Sequence, residues 1–157
     1  MSESLDSRMP SIPGPSTPHV TTGRLILSGL LAGLVVNLID VPNSAIFVSP
    51  GWTRFLAEHG ITMNVPLVST FYVLLHFAYG IAIVFTYGVF RRHFGAGPRT
   101  ALRATLLLLG LHRAFGLGMV VMGTMPFPIY LQFSTSMLIG SILGGLLGAR
   151  VHDRTRG

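Results

Sequence analysis

The sequence predicts an all-α protein, a polytopic bundle of four transmembrane helices. Half of its 157 residues are hydrophobic (50%) and only 10% are charged, against about 25% charged in soluble domains. The apolar residues gather into four stretches, each long enough to cross a hydrocarbon core of about 30 Å, which takes about 20 helical residues. The arginines collect on alternate links between those stretches, the asymmetry that orients membrane helices. The chain has no cysteine, which excludes disulfides, thiolate metal sites and cysteine nucleophiles.

Residues 1–22 hold four prolines among Ser, Thr and Gly. With no apolar run to nucleate a core, they read as a flexible cytoplasmic tail. The apolar run after Arg24 is too long for a signal-peptide core and no small-residue cleavage pattern follows it, so it is expected to be retained. The membrane domain covers 23–151, with spans at about 25–47, 67–90, 101–122 and 129–149. Pro42 removes a backbone donor inside the first span and predicts a kink or an early helix end near Ile39. In the following link, Trp52 and Phe55 suit a membrane interface, and Thr53 to His59 reads as a short surface helix. Residues 152–157 read as a second cytoplasmic tail.

All eleven basic residues are arginine, against five acids, for a formal net charge of +6. Arg8, Arg24, Arg91, Arg92, Arg99, Arg103, Arg150, Arg154 and Arg156 fall on one side of the four spans, and Arg54 stands alone on the other. The positive-inside rule puts both termini in the cytoplasm. Because these charges flank apolar spans, anionic lipid headgroups are their expected partners and nucleic acid is not.

Lipid tails are as apolar as leucine, so helices associate in a bilayer through close backbone approach and interhelical hydrogen bonds. Three spans carry small residues at a spacing of four. They are Gly29 and Gly33 continuing to Asn37, Gly110 with Ala114 and Gly118, and Ser136 with Gly140, Gly144 and Gly148. These faces are seams within one subunit, or seams to a second copy or a larger complex; a homo-oligomer or other membrane subunits are expected.

Ionisable residues at membrane depth are costly and often functional. Asp40, His76, His112 and Arg113, with Asn37 nearby, fall within about one helical turn of a common level at about 1.5 Å rise per residue. The economical arrangement is an Asp40–Arg113 ion pair, with the histidines or Asn37 filling the remaining positions. Two other readings stay open: a proton- or ion-linked site, or a helix that ends at Pro42 and leaves Asp40 in a wet outer vestibule. His76 and His112 at matched depth also fit bis-imidazole ligation of haem b. The Ser69, Tyr72, His76, Tyr79 and Tyr87 face of the second span could line a quinone or lipid cleft. His59, His93 and His152 read as solvated surface residues, too scattered for a metal. No phosphate-binding loop, zinc-protease motif, nucleophile elbow or carboxylate pair is present, so no catalytic residue is assigned.

The segments Ser28-Gly-Leu-Leu-Ala-Gly-Leu-Val-Val-Asn37 and Phe94-Gly-Ala-Gly-Pro-Arg-Thr-Ala-Leu-Arg103 resemble small uncharacterised four-helix integral membrane proteins of bacteria. The resemblance implies a bacterial cytoplasmic membrane and carries no catalytic or binding residue. The chain is also similar to small multidrug transporters in having four helices and an acid in the first. It departs from them in using Asp40 past the middle of the span, with an arginine at the same depth. The expected function is therefore that of a non-enzymatic membrane protein, an oligomer or accessory subunit with a buried polar clamp. The alternatives are a proton-coupled transporter or channel using Asp40, His76 and His112, and a haem or quinone protein of electron transfer.

Overall fold

A computed structural model describes residues 22–154, so residues 1–21 of the expected N-terminal tail, with Arg8, and 155–157 of the C-terminal one, with Arg156, lie outside the described residues. The chain forms α1 (Thr22–Asn43), a π-helical turn (Ser44–Val48), α2 (Ser49–Glu58), α3 (Val65–Phe94), α4 (Pro98–Val121) and α5 (Phe127–Arg154). Among the described residues there is no strand. Four helical stretches are long and apolar enough to span a membrane: Thr22–Glu58, Val65–Phe94, Pro98–Val121 and Phe127–Arg154.

Of the two outcomes expected at Pro42, the early helix end does not occur, and the helix departs from α geometry just after the proline. It does not end near Ile39 but passes through Pro42. The proline ring withholds the N–H that would bond the Leu38 carbonyl. The turn that follows widens to π geometry, in which the Ser49 N–H bonds Ser44 O. The helix therefore stays continuous to Glu58, 37 residues in all, about 55 Å at about 1.5 Å per residue. That exceeds the roughly 30 Å hydrocarbon core, so α2, with its half-buried Trp52 and Phe55, extends beyond it. The surface helix expected from Thr53 begins earlier, at Ser49.

Each later helix has a local reason to start or stop. At the N-terminus of α3 the Asn64 side chain accepts from Leu67 N–H at 3.2 Å, and Pro66 in the first turn forgoes an N–H that has no helical partner. Its C-cap Gly95 takes φ 78°, a left-handed value that glycine adopts without strain. Pro98 starts α4. Between α4 and α5 the chain reverses over a few residues, and the Thr124 N–H and hydroxyl both donate to Met119 O at 2.9 Å.

In the bundle, α1 lies against α3 and α5, while α4 covers the other side of that pair. The interior is made of small residues. Ser28, Gly29, Ala32, Gly33, Val36, Asn37 and Asp40 are the buried positions of α1, and its two flanks meet different helices. A Cβ on Gly29 would sit 2.5 Å from Ile81 Cα, and one on Gly33 2.6 Å from Phe77 Cα, both on α3. From the other flank, a Cβ on Gly144 would reach 2.6 Å from Ala32 O, and Gly140 and Gly148 of α5 pack on Val36 and Ser28. Gly80 of α3, which the four-residue patterns did not single out, faces the backbone of Gly29 and Gly33. The exterior carries the large apolar side chains, Leu38 at 66%, Leu67 at 67% and Phe115 at 82% exposure among them. A surface of that kind suits lipid, not water.

Two of the three small-residue faces are thus closed inside the chain. The third is not: nothing lies within 4 Å of a Cβ placed on Gly110 or Gly118, and Ala114 between them is exposed.

At the arginine-rich end the last turn of α5 is no tail. Tyr87 hydroxyl donates to Asp153 Oδ2 at 2.5 Å, and Arg91 Nη1 donates to Asp153 Oδ1 at 2.7 Å. The same hydroxyl accepts from Gly97 N–H at 3.2 Å, tying α3, the α3–α4 turn and α5 together. His152, expected on the surface, is only 2% exposed and meets the Tyr87 ring edge-on at 6.1 Å.

The contrast between closed and open faces has a measurable consequence. Gly33→Leu is expected to destabilise the bundle in detergent by roughly 2–3 kcal/mol or more, because backbone faces the added side chain. Gly118→Leu, whose added side chain meets nothing in the described chain, should change the stability of the dissociated single chain by less than about 0.5 kcal/mol. Thermal unfolding followed by circular dichroism reads both.

Candidate functional site

The five polar residues at membrane depth occupy one level of the bundle, in two separate networks. The first is centred on Asp40, 5% exposed. Asn37, one turn earlier on α1, donates from Nδ2 to Val73 O of α3 at 3.2 Å. A carbonyl only accepts, so this bond fixes the amide and leaves Asn37 Oδ1 as an acceptor. His76 Nδ1 lies 2.9 Å from that oxygen and must carry the proton. The other ring nitrogen, Nε2, faces Asp40 Oδ2 at 3.7 Å. A proton on Nε2 makes that contact an ion pair; without one, a lone pair confronts the carboxylate. Asp40 is further held by Ser136 Oγ, which donates to Oδ1 at 2.6 Å from α5, and by Ser44 Oγ, which donates to Oδ2 at 3.3 Å from the π turn.

The second network is centred on Arg113. Its Nη1 donates to Ser134 Oγ at 3.2 Å, and Ser134 in turn donates to Tyr130 O at 2.7 Å. Its Nη2 lies 2.6 Å from His112 Nδ1. Guanidinium only donates, so this nitrogen is the acceptor and neutral His112 keeps its proton on Nε2. Tyr130 hydroxyl donates to Arg113 O at 3.2 Å, and its ring lies 5.9 Å from the guanidinium carbon. Tyr79 extends the network, its ring 5.7 Å from that of His112 and its hydroxyl accepting from Ser141 Oγ at 3.4 Å. Arg113 Nε is buried without a hydrogen-bond partner.

Among the described residues no ion pair joins Asp40 to Arg113, contrary to the expectation from depth; the ionisable side chain beside Asp40 is His76, 3.7 Å away. Equal depth sets height along the bundle axis and leaves direction around each helix open. Arg113 lies on α4, across the α3–α5 pair from α1, while His76 lies on α3 against α1. A cavity of about 210 Å³ separates the two networks, with Asp40 and His76 on one wall and His112 and Arg113 on the other. The wet-vestibule reading is also displaced, since Asp40 is buried in a continuing helix.

The four histidine nitrogens bear on the haem reading. Both Nδ1 atoms are engaged, and His76 Nε2 faces a carboxylate. Ligand pockets run to about 300–1,000 Å³, and a haem macrocycle does not fit a 210 Å³ space between these rings as they stand. No group of three or more His, Cys, Asp or Glu that could hold a metal ion occurs among the described residues.

Three serines escaped the reading of the sequence as polar partners. Ser136 was singled out as a small packing residue, yet it is the nearest donor to Asp40; Ser44 and Ser134 were not singled out. Intramembrane serines bonded to the carbonyl four residues back, as Ser134 is to Tyr130, are the available signal. Comparison with family models, with characterised proteins and with solved structures finds no match to this chain.

If the Ser136–Asp40 bond holds the carboxylate, Ser136→Ala should destabilise the protein by about 1.5–3 kcal/mol, the range for a hydrogen bond to a charged group. Thr135→Ala, one position away and exposed, should change stability by less than about 0.5 kcal/mol. Equilibrium unfolding in mixed micelles compares them.

Proposed function

We propose that this chain is a non-enzymatic integral membrane protein in which the Asp40 network is a structural clamp, and that it works as an oligomer or as a subunit of a membrane assembly. The observation that carries the clamp is the occupation of both Asp40 oxygens by donors from two different elements, Ser136 on α5 and Ser44 on the π turn, with His76 of α3 beside them. A carboxylate serving as a mobile proton carrier turns between partners; here each oxygen accepts from a serine on a different element, which holds the group in one orientation. In this reading the bilayer is that of the bacterial cytoplasmic membrane, with both termini and the cationic α3–α4 turn in the cytoplasm against anionic headgroups.

The assembly reading rests on α4. Its Gly110, Ala114 and Gly118 face is the small-residue seam that no helix among the described residues closes, and a second copy or another membrane subunit is the partner proposed for it.

A proton-linked transporter using Asp40 and the histidines is the second reading, favoured by the His76–Asp40 contact at 3.7 Å. Asp40→Leu separates the two. For a clamp, the variant loses about 2–3 kcal/mol or more, because two serine hydroxyls lose their bonds to a charged acceptor. Vesicles holding the wild type and a pH-sensitive dye then show no Asp40-dependent proton movement. Intact stability with an abolished proton flux would establish the transporter instead.

The α4 contact has its own check. Disulfide cross-linking of a Gly118→Cys variant in membranes should give dimers, and Val89→Cys, exposed on α3, should not. Equal cross-linking at both positions would remove α4 as the contact.

A further inference from the structure

We propose that the 210 Å³ cavity between the two polar networks binds the ring of a lipid-soluble quinone, with Arg113 donating to one of its carbonyl oxygens. The inference goes beyond the clamp and does not depend on how the chain assembles. It rests on four features of the cavity taken together.

The first is hydrogen-bonding capacity. On the α1 wall both Asp40 oxygens already accept from serines. On the α4 wall donors are left over: each Arg113 Nη carries a second N–H beyond the one given to Ser134 or His112, and the His112 tautomer fixed by Arg113 carries its proton on Nε2. The vacancy is for an acceptor oxygen. Charge is the second feature. A carboxylate and a guanidinium line the same space, so an anionic head meets Asp40 and a cationic one meets Arg113, whereas a neutral carbonyl meets neither penalty.

Shape is the third. Tyr72, Phe115, Tyr130 and Phe133 line the cavity, and aromatic rings favour a planar ring as guest. The three methionines Met119, Met125 and Met137 add polarisable sulfur at ring edges. A cavity of about 150 Å³ holds one benzene ring, so 210 Å³ takes a substituted six-membered ring and no drug-sized molecule. Access is the fourth. Tyr72 (48% exposed), Phe115 (82%) and Met119 (41%) belong both to the cavity lining and to the apolar outer surface. A ring entering there leaves its hydrocarbon tail in the lipid.

The test uses the full chain in phosphatidylcholine nanodiscs, titrated with a decyl-substituted benzoquinone, the retained quinone being extracted and counted by absorbance. Saturable binding of about one quinone per chain is expected. Arg113→Gln should weaken it at least about ten-fold, the loss expected for one hydrogen bond from a charged donor. Met119→Trp, which keeps every polar group and fills the mouth, should weaken it as much while leaving thermal unfolding unchanged. Dodecanoate, an anionic amphiphile of similar length, should not compete. Should Arg113→Gln fail to fold, Met119→Trp decides alone. The proposal is overturned by absence of saturable binding to the folded wild type, by wild-type binding in Met119→Trp, or by displacement of the quinone by equimolar dodecanoate. None of these results bears on the Asp40 clamp, which is read from stability and proton flux without added quinone.

Discussion

The structure depends on how closely α1 approaches its two neighbours. Hydrophobic association is absent between helices already surrounded by lipid, so the approach itself has to supply the stabilisation. Gly29 and Gly33 bring the α1 backbone onto α3, and Gly140, Gly144 and Gly148 bring the α5 backbone onto α1. That proximity is also what makes Asp40 tolerable. Burying a carboxylate costs several kcal/mol, and short serine side chains offset the cost only where the backbones carrying them are near. With an alanine or larger residue at Gly144, Ser136 would stand farther from Asp40. The glycine seam and the Ser136–Asp40 bond are two parts of one contact: dispersion between backbones sets the distance, and the hydrogen bond at 2.6 Å uses it.

The part of the architecture that depends on counting along the chain was legible in the sequence. Length and polarity mark the four spans, a spacing of four marks the small faces, and a rise of about 1.5 Å per residue puts the ionisable groups on one level. What depends on direction around a helix was not legible in the same way. His112 and Arg113 are adjacent and share a depth, and neither reveals whether α4 stands beside α1 or across from it. The Asp40–Arg113 pairing followed from depth and charge, and failed because α3 supplies a nearer partner in His76. Asp153 was lost for a related reason: placing the tail at 152 removed from consideration a residue that bridges Tyr87 and Arg91.

The two networks keep the cavity open between them. Each polar group at this level is drawn toward its own helix or its nearest neighbour: Asp40 toward Ser44 and Ser136, Arg113 toward Ser134 and His112. Had the carboxylate and the guanidinium met directly, their side chains would cross the space that now separates them. Phe115, Met119 and Met125 line that space and carry no groups to bridge it. Both walls are anchored on α5, through Ser136 and Ser134 two residues apart, so one helix holds the acid and the base at separate stations.

Pro42 is the feature that makes the geometry at Asp40 more than an accident of packing. In an uninterrupted α-helix, serine four residues after an aspartate lies on the same face, and its hydroxyl is drawn to its own backbone carbonyl four residues back, here that of Asp40. The proline disturbs the ladder at that turn, and the π segment beginning at Ser44 rotates the following residues relative to α geometry. Ser44, the first residue of that segment and one turn from Asp40, bonds the Asp40 carboxylate. The proline that a simple reading expects to end the helix is thus followed by a change of geometry that begins at the residue donating to the buried charge. The continuation into α2 holds the altered turn between two helical segments.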